Sequence, residues 1–209
     1  MDHFENYDES QKRAFMLGTL FPDIRYMANI PREKTHSRGV TIEELINTEN
    51  PFIKGVKLLS FVDENRASFL RKHSIFNMLK NFPEDSHLSL KLLEDEILYS
   101  MRKESASLYI CEFLQHIEKE ELSYNASIET IKKWHEHIRE ILSQKPSDLY
   151  DDLIISGRNH GKITNKSIKN AYKIMQSYSK DERFIEYVIA ITSDFNIMFL
   201  AYKENLHLN

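Results

Sequence analysis

The chain has 209 residues, of which 41% are hydrophobic, 11% aromatic and 29% charged, a balance that supports a buried core and excludes a disordered chain. A net charge of −4 gives no basic footprint for holding nucleic acid, and a single cysteine excludes both an internal disulfide framework and a cysteine-built structural zinc site. No apolar run reaches the roughly 18 residues of a membrane-spanning helix.

Gly and Pro number only five each. A β-sandwich needs tight turns and usually more of both, so few breakers over this length point to long helices. The expected fold is all-α, one domain over residues 1–209, a bundle of about eight or nine helices. Residues 1–13 are polar and acidic and do not read as a secretion leader. The expected compartment is therefore a reducing cytoplasm, with export left open.

In chain order, a first helix is expected from Asp8 to Leu20, with Asp8 as N-cap. Phe21 to Val40 reads as irregular, holding Pro22, Pro31 and Gly39 and rich in Arg. Gly18, just before it, suggests close helix packing or a sharp exit. Thr41-Ile-Glu-Glu44 is a capping-box pattern that opens a short helix. Pro51 suits a helix start, where its missing N–H costs nothing, and a long helix follows from Phe52 to His73. Asn81, Pro83 and Asp85 break the chain. Further helices are expected over 87–102, over 105–122, from Asn125 or Ser127 to Ser143, and over 146–155. The stretch Gly157 to Gly161 reads as a loop. Two last helices span 165–178 and 181–204. In the final one Phe184, Val188, Ile191, Phe195, Met198, Phe199 and Tyr202 make an apolar stripe at 3-4 spacing.

Polar groups that fall on apolar faces carry the functional interest. At about 100° per residue, Phe52, Val56, Leu58, Leu59, Val62, Phe69 and Leu70 share a face, and Asp63, Arg66 and His73 lie on it. A buried charge must be paired, metal-bound or set in a wet cavity. An Asp63–Arg66 pair at i, i+3 is the plain reading. On the next helix, Glu94 sits among Leu90, Leu93, Ile97 and Met101, and an inward Arg such as Arg66 is its plain partner. Asp95 and Glu96 are expected to face solvent. The stripe of Ile131, Trp134, Ile138 and Leu142 takes in His135 and leaves His137 outside; the two diverge on a helix and cannot chelate one ion, so they are read as surface and boundary histidines. Cys111 lies in the apolar register of Phe113, Leu114 and Ile117, where a buried thiol is the ordinary occupant. Arg25, Arg32, Arg38 and His36 make the irregular stretch locally cationic, a set that suits phosphate or carboxylate recognition as well as salt bridges.

The order Gly18, Pro22-Asp23, Thr35-His36, a helix opening near Gly55 with Asp63, then a helical Glu94 resembles the zinc-dependent phospholipases C and the related single-strand nucleases. That resemblance covers about residues 1–100. It implies an all-helical enzyme whose clustered zinc ions are held by an Asp in a Gly…Pro-Asp segment, a lone His and two i, i+4 pairs, His-x-x-x-Asp and His-x-x-x-Glu. Zinc-bound water would attack a phosphodiester. Carried over, Asp23 and Glu94 would bridge metal or activate water. His36, Asp63, His73 and His3 would hold metal, and Arg32 or Arg66 would steady the phosphate of an ester or lipid head group. The chain departs from the pattern at Leu59 and Leu90, which stand where the two paired histidines belong, and leucine cannot bind zinc.

Two function classes follow. One is a phospholipase C-like phosphoric-ester hydrolase with a reduced metal site. The other is a non-catalytic helical binding or interaction protein that kept the scaffold and lost the metals. Arg66, inward beside the carboxylates, favours the second, because a guanidinium there competes with a metal ion. The protein partner is not specified by any motif.

Overall fold

The computed structural model describes residues 7–72, 86–101, 104–148 and 165–193. The described residues are helical, with no strand among them. The elements are α1 (Glu9–Leu20), a 3-10 turn (Phe21–Ile24), α2 (Arg25–Ala28), α3 (Arg32–Thr35), α4 (Ile42–Asn47) and α5 (Pro51–Lys72). Then come α6 (Ser86–Met101), α7 (Glu104–Phe113), α8 (Lys119–Leu122), α9 (Ile128–Ser143) and α10 (Asn165–Tyr178). A further helix, α11, is described over 182–193. This is more than the eight or nine helices expected, because the irregular stretch after α1 coils into three short helical turns. The expected breaks at Asn81, Pro83 and Asp85, the loop from Gly157 to Gly161 and the last part of the final stripe lie outside the described residues. Among the described residues, no helix is long and apolar enough to cross a membrane.

Helix starts follow local chemistry. Asp8 accepts from the Gln11 backbone N–H at 2.8 Å, and the Gln11 side chain accepts from the Asp8 N–H at 3.1 Å, a closed capping box. Thr41 Oγ1 accepts from the Glu44 N–H at 3.1 Å and Asn50 Oδ1 from the Ile53 N–H at 3.0 Å. Ser127 does the same for Thr130 at 3.1 Å. The one long helix expected over 105–122 is instead two. Glu118 opens α8 with its own capping box, in which the Glu118 N–H donates to Glu121 at 2.8 Å. An acidic residue three positions ahead of another was the overlooked start signal.

The chain divides into two compact units. The first takes its described residues from 7–65 and 105–140, the second from 66–104 and 141–193.

In the first unit α1 and α5 touch backbone to backbone. A methyl group on Gly18 would lie 2.1 Å from the Phe52 carbonyl oxygen, and one on Gly55 would lie 2.2 Å from that of Phe15. The close packing read from Gly18 is therefore real, with Gly55 as its counterpart. Phe21, Phe52 and Tyr124 stack beside the crossing, with ring centroids 4.8–6.3 Å apart. Burying each phenylalanine fully contributes about 1.5–3 kcal/mol. Ile30, Thr35 and Val40 are buried and anchor the stretch between α2 and α4. That stretch is stitched to α5 by the Ser37 N–H donating to Ser60 Oγ at 3.1 Å and the Gly39 N–H to Glu64 at 3.0 Å.

In the second unit Leu70, Leu90, Leu93, Ile97, Phe184, Tyr187, Val188 and Ile191 form one apolar cluster. Leu92, Ala171 and Met175 form another. Phe184, Val188 and Ile191 are the part of the final stripe that falls within the described residues, and all three are buried as expected.

Candidate functional site

Of the charged residues in the irregular stretch, Asp23, Arg25 and Arg32 act on His36 in the first unit. His36 ends α3 in an extended conformation, which turns its ring inward to 7% exposure. Ring Nδ1 lies 2.9 Å from Thr35 Oγ1, and the Thr35 hydroxyl is 3.3 Å from the Arg32 carbonyl. Where the Thr35 hydroxyl donates to that carbonyl, Nδ1–H donates to Thr35 and Nε2 keeps a lone pair. Nε2 is buried and has no hydrogen-bond partner among the described residues.

The electrostatics at His36 are mixed. Burial pushes its pKa below the ordinary imidazole value, and the charge of Arg32 pushes the same way. Asp23 and Asp63 pull it up, and Arg25 adds a smaller push down. Asp23, Arg25, Arg32, His36 and Asp63 are thus one electrostatic neighbourhood. Arg32 approaches Asp63 at 3.4 Å, with both side chains partly exposed. Arg25 lies over the Tyr26 ring at 3.8 Å and donates to the Tyr26 hydroxyl. Its Nε is buried without an acceptor among the described residues.

Glu94 lies in the second unit, where its carboxylate is fully engaged. Arg66 Nε donates to Oε2 at 2.8 Å, and the Tyr187 hydroxyl donates to Oε1 at 2.7 Å. The Asp63–Arg66 pair expected from spacing does not form. Asp63 takes Arg32 and Glu94 takes Arg66, because each guanidinium meets a carboxylate from another stretch of chain. Tyr187 went unread in the sequence, although a tyrosine between Phe184 and Val188 on an apolar stripe calls for a partner for its hydroxyl.

Three further readings need correction. Glu96 is not solvated: at 7% exposure it holds Lys145 at 2.7 Å and the Ser147 N–H at 3.1 Å. His135 is not a surface group. It is 3% exposed and lies 2.8 Å from Glu121, itself 1% exposed. The helical stripe placed His135 inward correctly, but nothing local revealed its partner fourteen residues earlier in the chain. Cys111 is half-buried rather than enclosed.

The zinc cluster implied by the resemblance is not assembled among the described residues. No three His, Cys, Asp or Glu side chains among them form a metal-holding group. Leu90, at one histidine position, is fully buried in the apolar cluster of the second unit. Leu59, at the other, is half-buried. Glu94 already has an acceptor bond on each oxygen. His3 and His73 lie outside the described residues. The Nε2 of His36, buried and unpartnered among the described residues, is a donor atom of the kind an ion takes. Compared with known proteins, the chain matches no family model, no curated protein and no solved structure.

Proposed function

We propose that this chain is a non-catalytic helical binding protein, in which arginines neutralise the inward carboxylates that a zinc enzyme of this pattern would give to metal. One observation supports the reading above others: Asp63 and Glu94 each have a guanidinium as their cation. A carboxylate with a tight guanidinium beside it binds a divalent ion only after that partner is displaced. Displacing Arg66 from buried Glu94 is costly, whereas displacing Arg32 from half-exposed Asp63 costs only about 1 kcal/mol or less. The ligand of such a protein is a protein surface or a small anionic molecule, for which Arg25 and Arg32 supply donors.

A second reading, a phosphoric-ester hydrolase with one metal ion, draws on the Nε2 of His36, unpartnered among the described residues. In it His36 and Asp63 hold the ion, Asp23 activates water, and Arg32 steadies the phosphate of an ester or lipid head group.

Elemental analysis separates the two. The protein is purified without a metal-affinity tag or chelator, then incubated with zinc and desalted. The binding reading expects no retained metal and no hydrolysis of a bis-aryl phosphodiester. About one equivalent of zinc, lost in both His36→Ala and Asp63→Ala, would overturn it and establish the second.

A further inference from the structure

We infer that the Arg66–Glu94–Tyr187 triad is a register lock for α6: it selects one rotation and one axial position of that helix within the second unit, at a cost in stability. The inference concerns the second unit alone and holds whichever functional reading survives.

α6 is a poor guide to its own orientation. Leu90, Leu93 and Ile97 pack into one apolar cluster, while Leu92 packs into another with Ala171 and Met175. At about 100° per residue, Leu92 points roughly opposite to Leu90 and Ile97. A helix apolar on two opposed sides, with leucine at three of its four buried apolar positions, can turn or slide by a helical step and still bury apolar area. Apolar contacts alone carry little direction, and a core held only by them packs in several near-equivalent ways.

Glu94 removes that freedom. It stands on the Leu90 side, is 9% exposed, and has both carboxylate oxygens engaged by groups from two other helices. Rotating α6, or moving it by one turn, would leave a carboxylate among leucines with neither Arg66 nor Tyr187 in reach, a strongly unfavourable state. Burial and the Glu94 charge keep the Tyr187 phenol well above its ordinary pKa, so it remains a donor throughout the usual pH range. On the opposite side of α6, Glu96 is held by Lys145 and Ser147. Lys145 is half-exposed, so this pair restrains the helix less than the enclosed Arg66–Glu94–Tyr187 triad does.

The triad does not look built for stability. A second nitrogen of Arg66 lies 2.7 Å from Glu94 Oε2 but off the hydrogen-bond direction, and it has no acceptor among the described residues. A buried polar network with an unmet donor is no better, in stability alone, than apolar groups of similar volume. What the triad adds over leucine is directionality.

The test replaces all three residues at once, Arg66→Met with Glu94→Leu and Tyr187→Phe, and compares thermal unfolding, amide NMR spectra and binding of a hydrophobic dye. The expected variant is helical, melts at or above the wild-type temperature, and shows doubled or broadened amide signals with increased dye binding. Arg66→Met alone is expected to lower the melting temperature, because it strands Glu94. A triple variant with one sharp set of signals and unchanged dye binding would overturn the inference. So would a triple variant that melts lower or does not fold, since the triad would then be an ordinary stabilising element.

Discussion

Gly18 and Gly55 meet at the crossing of α1 and α5, and neither position has room for a side chain. Each would place a methyl carbon against a carbonyl oxygen of the opposite helix, 2.1 Å from Phe52 in one case and 2.2 Å from Phe15 in the other. Backbone atoms cannot move aside as a flexible side chain can. Gly18→Ala and Gly55→Ala are therefore each expected to destabilise the protein by about 3 kcal/mol or more, at the upper end of overpacking costs. Urea unfolding followed by circular dichroism checks this, and a midpoint unchanged in both variants would show that the helices do not cross so closely.

Glu121 and His135 form the most enclosed polar pair described, 2.8 Å apart with almost no exposed surface. The second Glu121 oxygen is used by the Glu118 N–H at the start of α8. Removing the imidazole leaves a carboxylate buried with one donor. His135→Ala should therefore cost about 3–5 kcal/mol. Glu121→Gln keeps the shape and an acceptor, so it should cost clearly less. Equal losses in the two variants would argue that volume, rather than charge pairing, matters there.

His36 makes stability depend on pH. Its folded-state pKa lies below the ordinary 6.5, chiefly through burial and then through Arg32. The unfolded chain therefore takes up the proton first as pH falls. The contribution is fully present above pH 6.5 and is lost as pH drops below that value towards the folded-state pKa. The melting temperature should fall between pH 7.5 and 5, and less steeply in His36→Gln than in wild type. Identical pH profiles for the two would exclude His36 as the source.

Arg32 and Asp63 offer a contrast in magnitude. Their contact is long, at 3.4 Å, and about half of the Arg32 side chain is exposed. Arg32→Ala should change stability by no more than about 1 kcal/mol. The Arg66–Glu94 pair is shorter and nearly enclosed, so its disruption should cost several times as much. Guanidinium denaturation of Arg32→Ala and Arg66→Ala side by side tests the ranking. A larger loss at Arg32 would reverse it.

The capping residues test the local rules. Asp8→Ala removes one half of a closed box and should cost about 1 kcal/mol. Asp8→Asn keeps a side-chain acceptor and should cost less. Thermal unfolding at neutral pH resolves the two, and equal effects would mean that charge at the helix start matters more than the hydrogen bond.

Helix class and most helix starts were legible in the amino-acid order because their causes are local. Asp8, Thr41 and Ser127 lie within three residues of the N–H groups they satisfy, and the scarcity of breakers needs no knowledge of the fold. The inward direction of Glu94 and the close contact at Gly18 were readable from helical spacing for the same reason. Partners were not readable. Tyr187 lies 93 positions from Glu94, and Arg32 lies 31 positions from Asp63. Spacing along one helix says that a charge faces inward, but only the packing of several helices decides which opposite charge it meets. That is why the Asp63–Arg66 pairing suggested by proximity in sequence gave way to two separate pairs. It is also why His135, correctly placed on its stripe, found Glu121 only once α8 and α9 had packed.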